Sequence, residues 1–232
     1  MLISFCIPCM NRTYDLKKTM PYLTAAAKAS PPVEVVILDY NSVDDLEDYI
    51  KSVKQENPDF ILTYRKYSGR DTYHMAHARN LSVLAASGEY IVIFSTDLFP
   101  YKDFIPTVRR LIAETGAKWL YTGILYLGVI VCKKAEFVAA GGYDERFELY
   151  GPEDKDLNER LARRGVKSAR YPEELIGIFR TTDTEKTKNY RLKMSKREMS
   201  GLMRQYYFQN NQDLIKVANQ GLEWGSWNKQ WD

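Results

Sequence analysis

Cysteine is scarce in this chain, at three of 232 residues. Three thiols cannot frame a disulfide-held fold, and they suit a reducing compartment. Neither sign of charge dominates, with 33 basic against 30 acidic residues, so the whole molecule does not read as a nucleic-acid binder. Long hydrophobic runs are missing. The longest apolar stretch, residues 119–132, is broken by Thr122, Gly123 and Gly128 and falls short of the ~20 residues of a spanning helix. The opening MLISFCIPCM has no basic segment and breaks at Pro8, unlike a secretory leader. The expectation is therefore a cytoplasmic protein. Its 45% hydrophobic and 27% charged residues fit a soluble globular chain with a real core, as one large domain or two small ones.

What is present alternates. Residues 2–7 form a short apolar run, and 14–28 carry helical spacing. Residues 33–38 are continuous and β-branched, as in a strand buried on both faces. Ser42 opens Ser-Val-Asp-Asp, close to a capping box, ahead of a helix through Lys54. A strand over 60–64, a helix over 73–86 ending at Gly88, and a strand over 90–94 follow. This rhythm predicts an α/β fold with a mostly parallel sheet flanked by helices. Ligands of such sheets bind beyond the carboxyl ends of the strands. Those ends carry Pro8-Cys9-Met10-Asn11-Arg12, Asp39-Tyr40-Asn41-Ser42 and Ser95-Thr96-Asp97. Each could be a turn or cap taken alone; together they would line one crevice.

The second half reads as a helix over 102–115, two strands with a glycine break over 119–132, then Gly141-Gly142-Tyr143-Asp144-Glu145. The densest polar cluster is Tyr150-Gly151-Pro152-Glu153-Asp154-Lys155-Asp156, followed by a helix to Arg164 with Gly165 as its stop. After Asp183 the chain turns basic: residues 1–182 balance in charge, so the net +3 belongs to the tail. Trp224, Trp227 and Trp231 are spaced as one helical stripe or as stacking groups for a sugar or base.

Several clusters could carry chemistry. Proline suits a first helical turn, and carboxylates there are favoured by the helix dipole. Glu153 or Asp154 could so accept a proton from a hydroxyl, with Tyr150 and Gly151 as a sugar-stacking floor; the plain alternative is an acidic helix start. Asp97, just past a buried strand, could hold Mg²⁺ or Mn²⁺ against phosphate oxygens or simply make a turn. Cys6-Ile7-Pro8-Cys9 has thioredoxin-type spacing, but the chain is about twice that fold's size and the other clusters would go unexplained. His74 and His77 have no third histidine or cysteine beside them, which favours surface or capping roles over metal ligation.

Taken in order, these residues resemble family 2-type glycosyltransferases of the GT-A fold. The resemblance rests on Ile7-Pro8 with Asn11-Arg12, Asp39-Tyr40-Asn41-Ser42, Ala78-Arg79-Asn80, and Gly88-Glu89-Tyr90 running to Ser95-Thr96-Asp97. The second half looks like the catalytic segment of β-1,4-galactosyltransferases, through Gly141-Gly142-Tyr143-Asp144-Glu145 and the Tyr150–Leu161 segment. The resemblance implies one GT-A domain over 1–182, with a nucleotide-binding half (1–97) and an acceptor half (98–182), plus a basic extension over 183–232. It implies a UDP-sugar donor, a glycan or other hydroxyl acceptor, and Mn²⁺ or Mg²⁺. Pro8, Asn11, Arg12, Asp39 (to uracil), Arg79, Ser95 and Asp97 would serve the donor. Asp97 would hold the metal and Asp154 would be the catalytic base. Glu153, Asp156, Tyr150 and Gly151 would hold the acceptor. Three departures stand out. Ser95 replaces the first acid of the DxD motif. No histidine follows His77, leaving Asp183 or Thr184 as the third metal ligand. Pro152 replaces a glycine. The implied reaction is inverting sugar transfer; DNA-base glycosylation, with the basic tail on phosphates, and a catalytically inactive sugar-nucleotide or glycan binder are the alternatives.

Overall fold

The computed structural model describes residues 1–123, 128–221, 223–225 and 227–231. The amino half runs β1 (Ile3–Cys9), α1 (Thr13–Ala29), β2 (Val33–Tyr40), α2 (Leu46–Glu56), β3 (Ile61–Tyr67), α3 (Met75–Ala85), β4 (Tyr90–Ile93), β5 (Leu98–Pro100) and α4 (Phe104–Thr115). The second half runs β6 (Trp119–Tyr121), β7 (Val131–Lys133), α5 (Lys134–Ala139), α6 (Glu153–Arg163), β8 (Ser168–Arg170), β9 (Ile176–Ile178), α7 (Asp183–Thr187), α8 (Lys196–Gln212) and β10 (Lys229–Trp231). The main sheet has the order β10-β3-β2-β1-β4-β7-β6-β8; β5 and β9 form a separate pair. The pairs β1–β2, β2–β3 and β1–β4 are parallel, and β7 is antiparallel to both its neighbours.

Side-chain alternation explains the layers. In β1, Ile3, Phe5 and Ile7 enter one apolar cluster and Cys6 the opposite one. In β2 and β4, Val35 and Val92 follow the first set, Val36 and Ile91 the second. The first cluster is closed by α1, α2 and α4 through Leu16, Ile50 and Phe104; the second by α5, α6 and α8 through Phe137, Leu161 and Met199. Period-two strands buried on both faces need helices on both faces. Each fully buried aliphatic or aromatic side chain contributes roughly 1.5–3 kcal/mol.

Three sequence expectations are corrected here. Ser42 does not cap a helix: α2 begins at Leu46, and Ser42 Oγ instead accepts the Asn11 amide at 3.1 Å. The tryptophans are not a helical stripe. Trp224 meets Phe137 edge-on at 5.9 Å, Trp227 lies beneath the Arg65 guanidinium, and both follow the end of α8 in non-helical chain; the Trp231 side chain lies outside the described residues. Cys6 and Cys9 sit inside β1 as buried free thiols whose pKa values burial raises, which disfavours a redox role. Residues 124–127, within the strand pair expected over 119–132, lie outside the described residues. Among the described residues, no helix is long and apolar enough to cross a membrane.

The tail after Asp183 is part of the body. Tyr190, Met199 and Met203 enter the second cluster, and β10 adds an antiparallel edge to β3. Two buried histidines brace the start of α3, and one of them, His77, also fastens the tail. His74 Nδ1 accepts the His77 amide and caps α3, while its Nε2 donates to the Glu145 carbonyl at 3.0 Å. His77 Nδ1 accepts the Tyr40 hydroxyl at 2.7 Å, and its Nε2 donates to the Trp224 carbonyl. An imidazole accepting at Nδ1 and donating at Nε2 is neutral. Burial holds both residues down at about pKa 4. The unfolded chain then takes up more protons between about pH 6.5 and 4, so stability is lost as pH falls through that window. Thermal unfolding against pH checks this: wild type will lose melting temperature below about pH 6.5, and His77→Gln will flatten the slope.

Candidate active site

Strand order reverses at β1. The connection through α1 leads to β2 on one side, and the one through α3 leads to β4 on the other. Crevices form at such switch points beyond the strand ends. Here Arg12, past β1, and Ser95 to Asp97, past β4, line a cleft of about 200 Å³. Its opposite wall is the start of α6: Tyr150, Glu153 and Asp154. The two acidic clusters, more than fifty residues apart in the chain, meet across one cavity.

Asp154 is presented by a second layer of contacts. Its Oδ1 accepts from Arg79 at 2.5 Å and from the Tyr143 hydroxyl at 3.0 Å. Its Oδ2 lies against Gly128, where an added Cβ would come within 2.7 Å of it. Tyr143 is held in turn: its backbone N–H donates to Asn80 Oδ1, and its carbonyl accepts from Asn80 and Asn219. The turn before it needs glycine. Gly142 has φ +63°, and a Cβ there would strike Asn80 and Trp224. Glu153 is buried, accepting from Arg79 at 3.0 Å and from the Gly151 amide at 3.1 Å. Burial first, and the neighbouring Asp154 second, push its carboxyl well above the usual range. The pair so favours one negative charge over two opposite Arg79. Gly128→Ala should press on Asp154 without disturbing the fold: turnover will drop several-fold while the melting temperature holds, as single-turnover assays and thermal unfolding can check.

Asp97 is buried, and its Oδ2 lacks an aligned hydrogen bond although Lys186 Nζ lies 2.9 Å away and Arg12 Nη2 3.7 Å. Arg12 also pairs with buried Asp15 at 2.5 Å and donates to Thr181. The backbone N–H of Phe179 donates to the Asp97 carbonyl, carrying the segment after β9 past this carboxylate.

Of the residues expected in the site, Pro8, Arg12, Arg79, Ser95, Asp97, Tyr150, Glu153 and Asp154 line the cleft. Others stand elsewhere. Asp39 is buried with Oδ1 taken by the Ser42 amide and Oδ2 by the Tyr64 hydroxyl, so it fixes the loop after β2. Asn11 bridges that same loop, accepting the Val43 amide and donating to Asn189. Gly151 supports Glu153 through its amide. Asp156 is fully buried against Arg160 at 2.7 Å and holds Asn210, leaving no oxygen for an acceptor. Asp183 starts α7 with an exposed side chain 3.5 Å from Lys196. Arg79, expected at the nucleotide, is spent on the acidic pair. Residues the sequence reading missed include Tyr73, Asn189 and Tyr190, which line the cleft from regions without a local signature.

The expected divalent metal finds a poor donor set. Asp97 stands beside Ser95 on one wall; the cleft's other carboxylates, Glu153 and Asp154, are on the opposite wall and paired with Arg79, and Asp183 is outside the lining beside Lys196. Among the described residues no group of three or more His, Cys, Asp or Glu side chains is placed to hold an ion. Magnesium-type sites use one or two carboxylates with substrate phosphates, but a cation at Asp97 would stand among the Lys186 ammonium and the Arg12 guanidinium. The residues present do not fit a metal in this arrangement.

Comparison with known proteins bears on this geometry. The sequence pattern described as glycosyl transferase family 2 matches residues 4–126, over half of the chain. The chain belongs to glycosyl transferase family 2. A second pattern, the N-terminal domain of galactosyltransferase, matches residues 108–185 of this family 2 protein. The abequosyltransferase RfbV of Salmonella typhimurium is 35% identical over 111 residues, covering 47% of this chain and 32% of that protein. The family 2 chain thus spans about a third of that relative's length. Its fold is that of TarS from S. aureus, solved with UDP-GlcNAc (TM-score 0.69, 15% identity, 90% of this chain and 66% of that one). It is also that of the mannosyltransferase PcManGT from Pyrobaculum calidifontis, solved with GDP-Man and Mn²⁺ (TM-score 0.61, 19% identity, 74% and 55%). The GT-A expectation holds.

Proposed function

We propose that this family 2 chain transfers a sugar from a UDP-sugar to an acceptor hydroxyl with inversion at the anomeric carbon. The observation that carries this reading is the meeting of Asp97 and the Glu153/Asp154 pair across one cleft. The donor diphosphate lies on the Arg12/Asp97 side, beyond the strand ends. The acceptor enters on the α6 side, over Tyr150. Asp154 takes the acceptor proton on Oδ2 while Arg79 and Tyr143 fix the carboxylate through Oδ1. The acceptor oxygen attacks from the face opposite the diphosphate, and one displacement inverts the centre. A buried Glu153 keeps Arg79 in place behind the base.

Support for a nucleotide-sugar donor comes from the family match and from the ligands of TarS and PcManGT. A DNA acceptor is less well supported. Lys188 and Lys196 of the basic tail are paired with Glu185 and Asp183, and Lys186 faces the cleft, whereas a phosphate-tracking stripe needs its cations along an open surface. The test is a panel of UDP- and GDP-sugars with candidate acceptors, read as nucleotide release, with proton NMR of the product anomer. Release of UDP with an inverted product is expected. A retained anomer removes the inverting assignment, and no release from any donor favours an inactive binding module.

A further inference from the structure

We propose that Lys186 supplies the positive charge at the donor diphosphate, so that nucleotide binding by this chain needs no divalent cation. The proposal rests on the glycosyl-transfer reading above and deepens it.

The position where a metal would be expected already holds an ammonium. Lys186 Nζ lies 2.9 Å from Asp97 Oδ2, with Arg12 behind at 3.7 Å. An ammonium carries three N–H donors. Asp97 can engage one, and the side chain lines the cleft, which leaves donors for phosphate oxygens. The neighbouring cations of the same segment do not share this placement. Lys188 pairs with Glu185 at 2.8 Å and lies over the Tyr14 ring, and Arg180 is exposed and outside the cleft wall.

The segment that carries Lys186 is braced on both sides. Upstream, the Phe179 amide is bonded to the Asp97 carbonyl, and Thr182 caps α7 by accepting the Glu185 amide. Downstream, Asn189 Nδ2 donates to the Met10 carbonyl at 2.7 Å, just past β1. The ammonium is therefore positioned before any donor arrives, and a preorganised charge needs no rearrangement at the moment of reaction. Asp97 becomes a positioning residue that holds Lys186 at the diphosphate. In the transfer itself, the bond from the anomeric carbon to the β-phosphate oxygen breaks and its electron pair leaves with that oxygen. The acceptor oxygen forms the new bond to the anomeric carbon, and its proton passes to Asp154. Lys186 stays protonated throughout and balances the charge that develops on the diphosphate.

The test is calorimetric titration of UDP into the full chain, once in EDTA and once in Mn²⁺. Wild type should bind UDP in both, with affinities within about threefold of each other. Lys186→Ala should weaken binding in EDTA by ~10-fold or more, the loss of one charge-assisted contact. Lys186→Arg should recover most of it, and Lys188→Ala should match wild type. Thermal unfolding of each variant confirms that it is folded. UDP binding seen with Mn²⁺ and absent in EDTA overturns the lysine assignment and leaves the donor reading standing. Wild-type affinity in Lys186→Ala overturns it too. Absence of UDP binding in both buffers overturns the donor reading, and the proposal falls with it.

Discussion

Asp154→Asn is expected to lower turnover by ~10²-fold or more, within the range that loss of a general base produces, while UDP affinity and melting temperature stay near wild type. The geometry separates these effects. Asparagine keeps an oxygen at the Oδ1 position, so the bonds from Arg79 and the Tyr143 hydroxyl survive. What is lost is the second carboxylate oxygen beside Gly128 and, with it, the capacity to take a proton. The nucleotide side of the cleft, around Arg12, Asp97 and Lys186, is untouched by the change. UDP release under single turnover, paired with UDP titration, measures both halves. Turnover equal to wild type would remove Asp154 from the role of base. Parallel loss of turnover and UDP affinity would instead mean that the α6 start shapes the donor site.

Much of this architecture was legible because strands buried on both faces leave a strong trace. Residues 33–38 are continuous and β-branched, and Val33–Tyr40 is buried along its whole length. The strand-end rule then pointed to Arg12 and Asp97, and the helix-start chemistry to Glu153 and Asp154. All four line the cleft. What escaped the sequence depends on contacts between distant segments. Tyr143 meets Asp154 because Asn80, from α3, grips its backbone on both sides, and no spacing in the chain records that. Ser42 misled because its sequence context fits a cap, whereas its hydroxyl is claimed by the loop after β1. Lys186 lies in the segment that the pairing of β9 with β5 carries past Asp97, a placement set by contacts between distant strands and not by local sequence. Asp156 is the instructive failure. It was grouped with its acidic neighbours by proximity, although an arginine four residues on already offered an i,i+4 partner.

That partner decides what Asp156 does, and its removal should be costly to folding. Asp156 and Arg160 are both fully buried and 2.7 Å apart. Arg160 also donates to the carbonyls of Ala140 and Gly142, each at 2.6 Å, and so holds the turn that presents Tyr143. Asn210 of α8 donates to both Asp156 and Asp144, tying α8 to α6. Asp156→Ala leaves a guanidinium buried without its counter-charge, an error that costs about 3–5 kcal/mol. For a chain of this size that is a fall of roughly 6–20 °C in melting temperature. Replacing the pair together, as Asp156→Leu with Arg160→Met, should recover part of the loss, because an apolar pair carries no desolvation cost. The recovery will be incomplete, since the Ala140 and Gly142 carbonyls then lose their donors. An acceptor-binding role makes the opposite forecast: Asp156→Ala would keep its melting temperature and raise the KM for acceptor. Thermal unfolding of the single and double variants, with acceptor kinetics on whichever remain folded, separates the two.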